Sequence, residues 1–245
     1  MNIKGSVVMV TGANGGIGQA LVRAFLERDA GKVYAAARDD TALAPLVQLG
    51  EGRVVPVQLD LLDGAGIARV AGECADVQIL VNNAGINRGL WFLAPAGADA
   101  AREEMEVNFF GTLAMCRAFA PMMAHVGSGV IANVCSILGL VNMPANGTYC
   151  ASKAAGHSLL QGLRGELAPK NIRVVGIYPG PVDTRLTAGL EIPKASPEGV
   201  AQAIVEGLAA GVEDIFPEEM SRQAHAMMLQ DPKLAEREFG KMIPA

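Results

Sequence analysis

Tyr149 and Lys153 stand four positions apart in "GTYCASKAAG" (147–156). On a helix that spacing puts both on one face, about one turn apart. A phenol and an ammonium so placed can do proton chemistry. Reducing a carbonyl needs a hydride at carbon and a proton at oxygen, and a general acid works best with a pKa near ambient pH. Free tyrosine sits at about 10, roughly three units too high, which is about 4 kcal/mol. One positive charge about 4 Å away, at an effective dielectric of about 20, supplies roughly 4 kcal/mol. A single lysine close to the phenol could nearly suffice. The same two residues also suit an ordinary helix surface with the lysine solvated, so the rest of the chain has to decide.

A second candidate lies near the start. "TGANGGIG" (11–18) follows the apolar run "SVVMV" (6–10) and precedes helical spacing over Ile17–Arg28. Glycines at 12, 16 and 18 allow a tight turn, close approach of a pyrophosphate and close helix–strand packing. The helix start adds N–H groups and a positive dipole end. The spacing is G-x-x-x-G-x-G rather than G-x-G-x-x-G, and strand–loop–helix context is what makes it a dinucleotide site.

The elements that position these residues alternate. Strands are expected at 6–10, 32–37, 53–60, 77–85, 129–136, 172–180 and 213–217. Helices are expected at 17–28, within 39–49, at 66–73, from Ala101 to about His125, over Tyr149–Ala168, and from the cap Ser196 through Ala210. A polar helical tail follows, at 218–245. Such alternation means right-handed βαβ units and a parallel sheet covered on both faces, a doubly wound α/β fold. Ligands bind such sheets beyond the carboxyl ends of the strands. The polar residues gather there: Thr11-Gly12, Arg38, Asp60, Asn82-Asn83, Ser136 and Pro179-Gly180.

The bulk numbers agree with this reading. The 245 residues suit one domain, 51% hydrophobic and 18% charged, with a large core. A net charge of −5 argues against nucleic-acid or anionic-membrane partners. From Ala118 to Ser152 there is no Asp, Glu, Lys or Arg, but Gly, Pro, Asn and Ser interrupt the stretch, so it reads as the buried centre of a sheet rather than a membrane span. Cys74, Cys116, Cys135 and Cys150 form no CxxC pair, and no signal peptide leads the chain. They read as reduced, inward-packed residues of a cytoplasmic protein, with no metal site expected. His125 and His157 read as surface or helix-packing residues.

Taken in order and spacing, T-G-x-x-x-G-I-G, "NNAG" (82–85), Asn108, Ser136, Y-x-x-x-K (149–153) and "PG" (179–180) resemble the short-chain dehydrogenase/reductase family over residues 5 to about 210. The resemblance implies a single Rossmann domain with seven strands in the order 3-2-1-4-5-6-7 and a nicotinamide cofactor. It implies that Tyr149 is the acid in reduction and the base in oxidation. Lys153 would lower its pKa and bond the nicotinamide ribose, Ser136 would bond the substrate oxygen, and Asn108 would hold a water linking Lys153 to solvent. The cofactor would be lined by Gly12, Asn14, Gly16, Ile17, Gly18, Asn82, Ala84, Gly85, Pro179 and Gly180, with Asp60 and Leu61 at the adenine and Val182 and Thr184 at the carboxamide. In register with the family, the end of strand two carries Ala37 and then Arg38 rather than an acid. An acid there would repel a 2′-phosphate, and Arg pairs with one bidentately. NADP(H) is therefore expected, with NAD possible.

The substrate side is expected to be formed by 137–147, Trp91, Phe92 and 184–193. Candidate lining residues are Ile137, Leu138, Val141, Met143, Trp91 and Leu186, with Arg185 the one base nearby. That favours an uncharged, mainly apolar ketone or aldehyde and its alcohol. The apolar, glycine-rich ending common among tetrameric relatives is missing after "EDIFP" (213–217). A homodimer through the helices at 101–125 and 149–168 is expected instead. The competing readings are a dinucleotide-sensing regulator without turnover and a sugar-nucleotide epimerase or dehydratase. Intact Asn108, Ser136, Tyr149 and Lys153 speak against the first, and the lack of a substrate domain against the second.

Overall fold

β-Branched and apolar runs that end at polar or glycine residues form the strands, and amphipathic segments between them form the helices. The computed structural model describes residues 2–244. In chain order the elements are β1 (Val7–Thr11), α1 (Gly16–Glu27), β2 (Lys32–Ala37), α2 (Ala44–Leu49), β3 (Val54–Gln58), α3 (Gly64–Glu73) and β4 (Ile79–Asn82). There follow α4 (Gly97–Met105), a π-helical turn (Glu106–Gly111), α5 (Thr112–Val126), β5 (Gly129–Val134), α6 (Gly147–Leu167) and β6 (Ile172–Ile177). The last are α7 (Pro197–Ala210), β7 (Asp214–Ile215), α8 (Glu219–Gln230) and α9 (Pro232–Gly240).

The seven strands pair in the order β3-β2-β1-β4-β5-β6-β7, every pair parallel. This is the Rossmann-type sheet that the sequence led us to expect. β1 is an interior strand, third in that order: Val8 pairs with Val33 of β2 on one side and Ile79 of β4 on the other. The strand period of two sorts the core into two layers. Val8, Val10, Ile79, Val81, Val130 and Val175 face α1, α2 and α7. Met9, Leu80, Ile131 and Val174 face α3, α5 and α6. All four cysteines are buried and unpaired. Among the described residues no helix is long and apolar enough to cross a membrane.

The structure corrects three boundaries. The helix expected from Ala101 to about His125 starts earlier, at Gly97, and is broken by the π turn that carries Asn108. β4 ends at Asn82 and β6 at Ile177, three residues short of the expected ends in both cases. Past Asn82 the chain leaves the ladder because Asn83 and Ala84 give their N–H groups to the Thr11 side chain. The tail forms two helices, each started by an acid: Glu218 accepts from Ser221 N–H, and Asp231 from Lys233 and Leu234 N–H.

Candidate active site

Lys153 lies on the inward face of α6 and is buried with Tyr149. Its Nζ donates to the carbonyl of Val134, the last residue of β5, at 2.9 Å. The ammonium is 5.5 Å from the centre of the Tyr149 ring. Beyond β5 the chain turns through Ser136, whose hydroxyl accepts from Leu138 N–H at 3.1 Å and donates to Pro179 O at 3.4 Å. That hydroxyl faces the Tyr149 phenol.

Asn108 reaches the same place from the π turn. Its Oδ1 accepts from Ile86 N–H at 2.8 Å, and its Nδ2 donates to Ile86 O and to Ser152 Oγ, both at 2.9 Å. Ser152 in turn donates to the Tyr149 carbonyl at 2.8 Å. The Asn108 carbonyl accepts from the Thr112 hydroxyl at 2.9 Å. A π turn inserts one residue into a helical circuit and rotates the side chains beyond it. Here it points the Asn108 amide at the segment after β4. Gly85 completes the cluster: a Cβ there would lie 3.0 Å from Asn108 Oδ1 and 3.5 Å from Lys153 Nζ.

Burial dominates the protonation of this cluster. It pushes the Tyr149 phenol well above the usual tyrosine range, and the Cys135 and Cys150 thiols and the Glu104 carboxylate push the same way; the Ser136 hydroxyl opposes them. Burial also pulls the Lys153 ammonium below the usual lysine range, with Cys135 opposing. In the chain by itself, burial thus works against the lowering of the phenol's pKa that Lys153 is expected to bring. The lysine spends its hydrogen bond on the Val134 carbonyl, and the desolvation of a buried phenol outweighs a charge held off to one side.

The glycine loop is held against the end of β4. The Thr11 hydroxyl accepts from Asn83 and Ala84 N–H at 3.0 Å each, and Asn83 Nδ2 donates back to Thr11 O at 2.9 Å. Gly12 has φ +64°, and a Cβ there would stand 2.8 Å from Ala84 Cα, so both backbone and space require glycine. A Cβ at Gly16 would meet the Thr184 methyl at 2.7 Å, and one at Gly18 would overlap the Gly12 carbonyl. The N-cap of α1 is Gly15, which offers no side chain to the first-turn N–H groups.

With this geometry in hand, comparison with known proteins is decisive. The short chain dehydrogenase profile matches residues 6–194. The chain belongs to the short-chain dehydrogenase/reductase family. It is an oxidoreductase by that membership. A short chain dehydrogenase from Burkholderia cenocepacia, solved in complex with NADP, superposes with a TM-score of 0.90, is 38% identical, and covers 98% of this chain and 99% of its own. An uncharacterised oxidoreductase of Staphylococcus saprophyticus is 31% identical over 85% of this chain and 93% of its own length. The NADPH-dependent 1-acyldihydroxyacetone phosphate reductase of Saccharomyces cerevisiae is 34% identical over 79% of this chain and 68% of its own. Some mammalian relatives are longer, and the chain spans 60% to 64% of their length.

The residues of this short-chain dehydrogenase fit a dinucleotide. The uncapped first turn of α1 is a ready anion site, and the glycine cradle is one that side chains would fill. Ile17 packs down on the core, and the Asn14 carbonyl accepts from Gln19. Arg38 is exposed at the end of β2, and its side chain makes no ion pair or hydrogen bond among the described residues. Asp39 instead caps the next turn through Thr41, as its position after a strand suggested. Asp60 holds Leu62 N–H at 3.0 Å beside Leu61, which packs on Gly111 of the π turn. Asn82 turns inward: its Nδ2 points at Cys116 Sγ and its Oδ1 is buried without a partner. Val182 is buried, Thr184 caps a short 3₁₀ turn, and Gly180 N–H donates to Glu218 Oε1 at 2.8 Å.

The substrate-side residues are gathered less completely. Ile137 and Val141 are buried, Leu138, Met143 and Trp91 are half-buried, and Phe92 and Leu186 are exposed. The loop is tied to α6 through Met143 N–H on Cys150 Sγ and to the tail through Ala145 N–H on the Met242 carbonyl at 3.0 Å. Sequence reading missed Ser152, Glu104 and Glu218. Ser152 lies inside a recognised motif, one residue before Lys153. The two acids gave no signal, since each sits in a charged stretch that reads as surface.

Proposed function

We propose that this protein is an NADP(H)-dependent oxidoreductase that interconverts an uncharged, mainly apolar ketone or aldehyde and its alcohol, with Tyr149 as general acid and base. The observation that carries the proposal is the convergence of a buried phenol, the Ser136 hydroxyl and the Lys153 ammonium beyond the end of β5. The dinucleotide, when bound, supplies or accepts the hydride. The α1 N-terminus with Gly12, Asn14, Gly16, Ile17 and Gly18 holds its pyrophosphate, Asp60 and Leu61 its adenine, and Asn82, Ala84, Gly85, Pro179, Gly180, Val182 and Thr184 its nicotinamide half.

In reduction the Tyr149 O–H donates its proton to the carbonyl oxygen, which Ser136 orients. Burial keeps the phenol protonated, the form from which it donates. Lys153 is anchored at Val134 O and keeps its remaining N–H groups for the ribose. Asn108, fixed at Ile86, holds the water through which the proton is replaced. Arg38 is free to take a 2′-phosphate, in line with the NADP bound to the Burkholderia cenocepacia protein and the NADPH dependence of the yeast reductase. The yeast enzyme's named substrate bears a phosphate, whereas the substrate side here offers Arg185 as its base. Burying an unpaired anion among the other candidates would cost several kcal/mol. A homodimer through α5 and α6 belongs to the same proposal; α5 also borders a groove of about 470 Å³ with α3, where Phe110 is exposed.

A panel of ketones and keto acids with NADPH and NADH, read at the reduced-nicotinamide absorbance, tests the reading. We expect NADPH-linked turnover that rises with apolar size, about three- to fourfold in kcat/KM per methylene until the pocket fills. Tyr149→Phe should bind cofactor and turn over at least about a thousandfold more slowly. Near-wild-type turnover in Tyr149→Phe would sink the mechanism, and a keto acid outperforming its neutral analogue would sink the substrate class.

A further inference from the structure

The tail that begins at Glu218 reaches back to the catalytic turn. Glu218 is the N-cap of α8, and its Oε1 accepts from Ser221 N–H at 2.9 Å. The same oxygen accepts from Gly180 N–H, 38 positions earlier, at 2.8 Å. The other side of that peptide unit is held as well. The Pro179 carbonyl accepts from Ile137 N–H at 3.0 Å and lies 3.4 Å from the Ser136 hydroxyl oxygen. One peptide unit, 179–180, is thus pinned at its N–H by the tail and at its C=O by the turn that carries Ser136. α8 also packs on the 3₁₀ turn Ile137–Gly139 that follows this serine.

The residues of this unit leave its orientation to those contacts. A trans peptide is a plane with C=O and N–H on opposite sides, so turning one end turns the other. The plane rotates about ψ of Pro179 and φ of Gly180. Proline fixes only its own φ, and glycine restricts neither of its torsions. Nothing local therefore sets the direction of the Pro179 carbonyl. Glycine at 180 also admits the acid, since a Cβ there would stand 3.0 Å from Glu218 Oε1. Ser136 lies between two backbone anchors: Cys135 N–H donates to Ile177 O at 2.8 Å, and Ile137 N–H to Pro179 O. The first continues the β5–β6 pairing. The second exists only while the 179–180 plane faces the turn. The 3.4 Å contact of the Ser136 hydroxyl with Pro179 O is long for two oxygens, so its hydrogen is readily turned to a substrate oxygen.

We propose that Glu218 is a positioning residue of the active site, acting through the Pro179–Gly180 peptide to hold the Ser136 hydroxyl where it meets the substrate carbonyl. The inference rests on Ser136 being the residue that orients that oxygen. It makes the tail, which lies beyond all the motifs, part of the support of the catalytic turn. The role needs an acceptor oxygen at the right reach rather than a charge, so glutamine can fill it and a shorter or apolar side chain cannot.

The test compares Glu218→Gln, Glu218→Asp and Glu218→Ala with wild type, each with Ser136 intact and with Ser136→Ala. The assay is NADPH-dependent reduction of the best ketone of a panel from acetone to cyclohexanone, well below Tm. Gln keeps an acceptor at full reach, so its kcat should stay within about threefold of wild type. Asp is a good N-cap but one methylene shorter, so it still serves the start of α8 and falls short of Gly180 N–H. The Asp variant should therefore keep most of the wild-type Tm and lose about five- to twentyfold in kcat, because a contact to the reacting oxygen strengthens in the transition state. Ala should lose as much in kcat and also lose Tm. With Ser136→Ala present, the Asp and Ala changes should cost less than about twofold more, since the group they position is gone. A folded Asp or Ala variant whose kcat stays within about twofold of wild type overturns the inference, and so does a full loss that persists without the Ser136 hydroxyl. Asp suffices if Ala does not fold. Ser136→Ala alone separates the two failures. If it turns over like wild type, the proposed role of Ser136 in the reaction falls; if it is impaired and the Glu218 losses simply add to it, only the role of Glu218 falls.

Discussion

Arg38 is the one exposed side chain on which the proposed preference for NADP(H) over NAD(H) turns. It follows β2 directly and has no partner of its own among the described residues, while the nearby Asp39 is already engaged with Thr41. Replacing Arg38 by Asp would exchange the proposed charge-assisted bidentate contact for repulsion of a 2′-phosphate. We expect Arg38→Asp to lower kcat/KM with NADPH by roughly 100-fold, equivalent to about 3 kcal/mol, and to change that with NADH by less than about threefold. Equal losses with both cofactors would assign the ribose contact to another group. At this scale the sequence was legible around the strand ends: Thr11 closes β1, and Asn83, Ser136 and Gly180 follow within three residues of the ends of β4, β5 and β6. Partners were not legible. Nothing in "YCASK" says that the lysine bonds the Val134 carbonyl, and "AREEME" hides the fact that the second of its three glutamates is buried.

The elements that matter most at the site are those that depart from regular form. Periodicity over 101–125 predicts one continuous helix, and the apolar positions on either side of Asn108 do lie on a helix. The π turn depends on what Asn108 meets, Ile86 and Ser152, which lie 22 and 44 positions away. A local pattern cannot encode it. The start of α8 and the loop after β6 are bound together by a contact of the same long-range kind. Glu218 Oε1 caps α8 through Ser221 N–H at 2.9 Å and also accepts from Gly180 N–H. Removing that carboxylate deprives two buried or half-buried donors at once. Glu218→Ala should destabilise the protein by about 1–2 kcal/mol, a fall in Tm of roughly 2–8 °C, and Glu218→Gln should recover part of it. Differential scanning calorimetry checks this; an unchanged Tm would mean that water replaces the carboxylate at both donors.

Across the whole molecule, one of the two buried layers, that facing α3, α5 and α6, carries ionisable groups that the fold keeps neutral. Burial pushes the Cys116 thiol from its ordinary value of 9.0 up to about 12 and that of Cys135 up to about 11. Above about pH 9 the unfolded chain sheds these protons while the folded chain keeps them. The unfolded state then binds fewer protons, so stability falls as pH rises, by up to about 1.4 kcal/mol per unit for each thiol, until the folded thiols ionise in turn. Lys153, with its value lowered, works in the opposite sense, because raising pH removes the charge whose burial is unfavourable. Cys74, pushed up to about 11 as well, makes three raised thiols against this one lysine. Urea midpoints should therefore drop between about pH 9 and 11, and Cys116→Ala should flatten the slope; midpoints that stay level would contradict the buried-thiol account. At this scale the two covered faces of the sheet were legible from alternation, and its strand order from the family resemblance that the motifs carry. The docking of the tail on Gly180 and Ala145 was not, because it rests on one carboxylate and one backbone carbonyl.

The interior place of β1, between β2 and β4, also sets the order of events when the chain refolds. β1 can pair with β2 across a short helix, but its other neighbour, β4, lies about three times as far along the chain, with Val8 beside Ile79. The glycine loop proposed to cradle a pyrophosphate is finished only when Thr11 receives Asn83, 72 residues later. Non-local pairings form slowly because loop closure must precede them. After dilution from denaturant, helical circular dichroism should return first and dinucleotide binding afterwards. During the interval between them, apolar strands lie open to neighbouring molecules, so the yield of active protein should fall as refolding concentration rises.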